Sequence, residues 1–185
     1  MAPSTMRWSD DVLLILAPIL GDVVTIRKPL ARCRIHAANN NALRSLDAEK
    51  IRGQLKQDTE KAALFVTASR QMQLAVPSDP LRYSLNHLQY RLASYLVEPA
   101  SHPFSAETLL GLVCRLVYST ATSSQVRLRE KVILLAWAIA CALAPQHLRR
   151  NLVEWRFAPL SRPRVLKTLL RTLSSLRSAQ RPDRA

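Results

Sequence analysis

Residues 126–145 read VRLREKVILLAWAIACALAP, and the interpretation of this stretch decides the fold. Across residues 132–144 the only polar side-chain atoms belong to the Cys141 thiol and the Trp137 indole. A helix that is apolar all round is enclosed by protein or held in lipid, because a helix half in water carries a polar stripe. These thirteen residues are too few for a bilayer, which needs roughly 20 at about 1.5 Å each. The stretch is therefore expected to be the buried central helix, 126–144, of an all-α bundle.

The rest of the composition agrees with helices. The chain has 185 residues, enough for one domain with a sizeable core, and is 48% hydrophobic. Its 3 glycines and 11 prolines leave few positions for hairpin turns and suit helices punctuated by proline.

Working outward, Pro145 should end the central helix, with a sixth helix over residues 146–157. Upstream, Ser105 is the expected cap of a fourth helix bearing Leu109, Leu110, Leu112, Val113, Leu116 and Val117. Before that, Ser78, Asp79 and Pro80 form a helix-start signal, followed by a leucine stripe at Leu81, Leu85, Leu88, Leu92 and Leu96. This stripe covers too few heptads for a coiled coil and fits packing within the bundle.

A long second helix is expected over residues 42–75, weakened at Gly53 and ended by Pro77. Ser9, Asp10 and Asp11 should open a first helix running towards Leu20, with Pro18 kinking or ending it and Gly21 as a stop. The expectation is a single-domain bundle of about six to seven helices over residues 1–158, followed by a basic amphipathic helix and tail over 159–185.

Charge supplies most of the functional signal. The net charge is +14, and residues 149–185 alone hold ten Arg or Lys against Glu154 and Asp183. Such a segment points to a polyanion: RNA, DNA, anionic lipid or an acidic protein. In a helix over 163–178, Leu166, Leu169, Leu170, Leu173 and Leu176 share one face with Val165. Arg164, Lys167 and Arg171 fall on the opposite face. One face would dock or insert while the other meets phosphates. The candidate nucleic-acid-binding residues are Arg149, Arg150, Arg156, Arg162, Arg164, Lys167, Arg171 and Arg177, with Trp155 and Phe157 interleaved as stacking candidates. Tyr83, Tyr90 and Tyr95 are expected in the core.

Catalytic and metal motifs are missing. There is no GxSxG, P-loop or Gly-rich phosphate cradle, and the acidic residues are scattered, so the chain reads as a non-enzyme without a cofactor. Cys33 and His36 have the spacing of half a zinc site, but no second pair completes it. Cys33, Cys114 and Cys141 are an odd, widely spaced set that fits a reducing, intracellular compartment, cytoplasmic or nuclear. Asp10 and Asp11 stand where a signal peptide would be positive.

In size, charge and Leu/Arg/Ser/Pro-rich helical make-up the chain resembles small accessory proteins of RNA viruses, including paramyxovirus C proteins and the helical silencing suppressors of closteroviruses. The resemblance covers general organisation and carries over no residues. It implies a non-enzymatic binding protein acting against host silencing or innate defence. RNA is the leading expected partner. The alternatives are an adaptor for an acidic host protein, a capsid-like homo-oligomer and a membrane-surface binder using the last helix.

Overall fold

A computed structural model describes residues 9–22, 24 and 47–158, all helix and connection with no strand among them. Helix α1 (Ser9–Leu20) continues through Pro18, and Gly21 N–H closes its last turn on Ala17 O at 3.1 Å. Helix α2 (Ala48–Gln71) begins later than expected. Asp47 caps it, its carboxylate accepting from Glu49 N–H at 3.0 Å and Lys50 N–H at 3.3 Å. These bonds satisfy two of the orphan donors that every helix start leaves.

Helix α2 also ends before Pro77. Gln73 adopts a left-handed φ of 57°, and Leu74 N–H reaches back to Ser69 O while Gln73 N–H reaches Arg70 O. This is the Schellman arrangement, which consumes the terminal carbonyls without a proline.

The Ser78–Asp79–Pro80 signal produces a turn rather than a helix start. Asp79 Oδ1 accepts from Leu81 N–H at 3.0 Å, and Arg82 N–H and Ser84 N–H close two successive turns. An Asp side chain that satisfies the backbone two residues on favours a local turn over a helix cap. Helix α3 (Leu85–Val97) therefore starts four residues past Leu81, with Ser84 at its N-cap position. Leu81 leaves the stripe, while Leu88 and Leu92 become fully buried core.

A short 3-10 turn (Pro99–Ser101) leads towards α4 (Leu109–Thr122). Thr108, not Ser105, caps α4 by accepting from Gly111 N–H at 3.1 Å. A Cβ on Gly111 would stand 3.0 Å from Thr108 Oγ1, so any larger residue here would push the capping hydroxyl back by a few tenths of an ångström. Helices α5 (Leu128–Leu143) and α6 (Gln146–Phe157) fall where expected, separated by Pro145.

Helices α3, α4, α5 and α6 form a ring in which each touches the next and α6 returns to α3. Helix α2 lies against the outside of α3, and α1 against α2. The core comprises Ile51, Leu88, Leu92, Ala93, Leu112, Leu116, Trp137, Ala138, Cys141 and Val153 among others. The all-α bundle is as read from the sequence; its centre is not.

Among the described residues α5 is not the buried central helix. Leu134, Trp137, Ala138 and Cys141 face the core, but Leu128, Val132, Ile139 and Leu143 are exposed. The helix with protein on most sides is α3, which α2, α4 and α6 all touch. Only α4 and α6 touch α5, so its outward face has no described neighbour.

Candidate nucleic-acid interface

Helices α2 and α6 flank α3 without touching each other, leaving a groove whose floor is α3. Both run antiparallel to α3. Arg52 on α2 pairs with Glu98 past the end of α3, and Asp58 pairs with His87 near its start. On α6, Arg156 and Phe157 lie against Gln89 and Tyr90. The groove encloses about 440 Å³ and is lined by Gln54, Asp58, Lys61, Asn86, Gln89, Tyr90, Arg156 and Phe157.

Its chemistry is mostly polar, with two cations to one carboxylate. Arg156 Nε and Nη2 both donate to Gln89 Oε1, at 3.0 and 2.6 Å, which ties the guanidinium to the groove floor. Asp58 Oδ1 accepts from Gln54 Nε2 at 2.8 Å, and its other oxygen lies 3.2 Å from Nδ1 of the buried His87. Burial, reinforced by the Asp58 carboxylate, pushes the Tyr90 phenol up against the pull of Arg156. A phenol is protonated at neutral pH even without this shift, and the Tyr90 hydroxyl is a donor suited to phosphate or carbonyl oxygen. Its ring sits 5.0 Å from that of Phe157.

Three of the eight cations singled out in the sequence lie in the described residues, and they have different roles. Arg150 is exposed. It lies close enough to Glu98 to help the Ser101 hydroxyl and the Arg52 guanidinium hold that carboxyl below its usual range. Arg149 donates from Nε to Ala144 O at 2.9 Å and so closes the end of α5. Arg156 lines the groove. Arg162, Arg164, Lys167, Arg171 and Arg177, with the expected last helix, lie outside the described residues, as do Cys33 and His36. Phe157 packs between Tyr90 and Trp137, which makes it part wall and part core. Tyr83 is exposed, tilted against Tyr118 with Arg82 over its ring, and so departs from the expected core position.

The groove residues Gln54, Asp58, Lys61, Asn86 and Gln89 do not stand out in a search for apolar periodicity. The readable signal is the 54, 58, 61 spacing on α2, which puts an amide, a carboxylate and an ammonium on one helix face.

A second polar constellation lies at the other side of α3. Glu107, whose side chain is only 6% exposed, accepts from Arg91 through both oxygens and from Arg115 Nη2, while His102 Nε2 lies 3.1 Å away. His102 Nδ1 faces Ser94 Oγ at 3.1 Å. Both ring nitrogens of His102 thus have a polar partner, Nε2 the Glu107 carboxylate and Nδ1 the Ser94 hydroxyl. Burial works to raise the Glu107 pKa, but the bonds from Arg91, His102 and Arg115 prevail and hold it below the ordinary value. The Arg91 guanidinium also lies 4.1 Å from the Phe104 ring centre. Each polar group is matched within the protein, so the cluster braces α3 and α4 through the loop between them. Carboxylates that look scattered along the chain thus include one held in a built charge network.

Among the described residues no group of three or more His, Cys, Asp or Glu is placed to hold a metal ion. No described helix is long and apolar enough to cross a membrane. The class defined by this architecture is an all-α bundle with a polar groove on one side. No family model, curated protein or solved structure matches the chain.

Proposed function

We propose that the chain is a non-enzymatic RNA-binding accessory protein that grips backbone phosphate rather than reading bases. The observation that carries this reading is the concentration of ten Arg or Lys against two acids in residues 149–185. That segment starts on α6, where Arg150 is exposed and Arg156 lines a groove with Lys61, Tyr90 and Phe157. Cations supply sequence-independent attraction to phosphate, and a protonated phenol beside an aromatic ring suits an unpaired nucleotide. An intracellular role against host silencing or innate defence fits the overall make-up and is part of the proposal.

The test is a titration of the full chain with single-stranded RNA at several salt concentrations. Log affinity should fall linearly with log salt, with a slope of about −0.7 for each phosphate neutralised. Arg164, Lys167 and Arg171 all changed to Gln should weaken binding strongly without unfolding the bundle, and Arg156→Gln should weaken it more modestly while also costing Gln89 a partner, so its folding is measured alongside. RNA binding undetectable at low salt would remove the proposal. Binding of anionic vesicles or an acidic protein in its place would move the chain to one of those classes.

A further inference from the structure

The outward face of α5 is a continuous apolar ridge: Leu128 is 77% exposed, Val132 57%, Ile139 49% and Leu143 81%, with exposed Ala136 between them. At about 100° per residue these five positions lie within about 80° of arc, opposite the face that carries Leu134, Trp137, Ala138 and Cys141 into the core. No described residue covers the ridge, and an unpartnered apolar helix face of this length marks an interaction surface.

We infer that the ridge takes a second copy of this chain, with α5 packing antiparallel on α5 across a two-fold axis. The order of residues supports this occupant. Leu128 and Leu143 are equidistant from the point between Leu135 and Ala136, and so are Val132 and Ile139. An isologous contact requires a surface that matches itself after a two-fold rotation. Antiparallel pairing sets Leu128 against the partner's Leu143 and Val132 against the partner's Ile139. Small Ala136 lies near the axis, where two helices must approach most closely.

Charge points to the same arrangement. No Lys, Arg, Asp or Glu occurs between Lys131 and Arg149, so a chain of net charge +14 would meet its copy where like-charge repulsion is least. Arg127, Arg129, Glu130 and Lys131 all stand at the N-terminal end of α5. A parallel pair would bring the two charged turns together. An antiparallel pair keeps the two charged turns a helix length apart and opposes the helix dipoles, each turn then lying beside the partner's Leu143 and the C-terminal carbonyls of its α5, which Arg149 also meets.

A bilayer fits less well, because an interfacial helix carries cations along its flanks. Here Arg127 is exposed at one end only, and Lys131 Nζ donates to Ala121 O at 2.8 Å. One 16-residue helix on its copy is a small interface beside the roughly 800 Å² per partner of standard complexes. Weak, reversible association is the expectation for so small a contact.

The test is sedimentation velocity of the nuclease-treated full chain from nanomolar to high micromolar concentration. Nuclease treatment separates self-association from bridging by RNA, so the two proposals fail independently. Reversible dimerisation is expected, and Ile139→Glu should raise the dissociation constant about tenfold or more. Leu143→Glu, at the most exposed position, repeats the test if the first variant unfolds. With Cys33 and Cys114 changed to Ser, Ala136→Cys should give a covalent dimer with a short bis-maleimide, and Ile139→Glu should abolish it. A chain that stays monomeric throughout overturns the inference, whether its own residues 163–178 or phosphatidylserine vesicles then cover the ridge. So does a dimer that both glutamate variants leave intact.

Discussion

Helix α3 contains His87, Gln89, Arg91 and Ser94 and is buried along most of its length, whereas α5, apolar beyond Lys131, has one face that no described residue covers. Hydropathy alone ranks them the other way. The difference lies in neighbours: among the described residues α2, α4 and α6 surround α3, while only α4 and α6 touch α5. Polar side chains tolerate this burial because each finds a partner. Arg91 has Glu107, His87 has Asp58, and Gln89 has Arg156 together with its own helix through Leu85 O. A polar helix with satisfied groups can therefore be the centre of a bundle, and an apolar one its edge.

The most direct way to break this contrast is to remove the partner on which α3 depends. Glu107→Ala leaves Arg91 buried without its carboxylate and His102 without its acceptor. Breaking a buried pair from one side costs about 3–5 kcal/mol, a large share of the roughly 5–15 kcal/mol that holds a domain folded. Urea unfolding at neutral pH should show this loss. A cost below about 1 kcal/mol would mean that the leucines alone hold α3 in place.

Acid probes the same network without mutation. The folded Glu107 carboxyl is held below its ordinary value of 4.5, so the unfolded chain binds the proton more readily. Its contribution is fully present above about pH 4.5 and is lost as pH falls through the lower folded value. Urea midpoints should drop across that acid range. In Glu107→Gln, less stable at neutral pH, the drop should be shallower. Equal slopes in the two proteins would place the acid sensitivity elsewhere.

The sequence made the helical class legible because its signals were local: proline spacing, scarce glycine, and the periodic Leu88, Leu92, Leu112 and Leu116. The short sixth helix was also legible, opened by Pro145. Side-chain competition obscured the starts of α3 and α4. Asp79 closes a turn that the same residues could have capped, and Thr108, three residues nearer to α4 than Ser105, takes the cap by accepting from Gly111 N–H. The centre was not legible, since apolar composition does not count neighbours. The candidate site was half legible. Arg150 and Arg156 stood out by charge, but the α2 wall of the groove and the Glu107 network join residues distant in the chain, and only the packing of α2 and α4 on α3 brings them together.

The mildest test compares one leucine from each helix. Leu92 on α3 is fully buried, and Leu92→Ala should cost about 2–5 kcal/mol through lost transfer energy and the cavity left behind. Leu143, on the last turn of α5, is 81% exposed. Leu143→Gln keeps helix propensity nearly constant and should shift stability by no more than about 0.5 kcal/mol in dilute protein. Thermal unfolding of both variants at one low concentration measures the difference directly. If Leu143→Gln were as costly as Leu92→Ala at that dilution, the α5 ridge would be covered within the single chain and the contrast between the helices would collapse. If the cost appeared only as concentration rose, the missing cover would be the second copy, because association stabilises the folded form in proportion to how far the monomer is driven into complex.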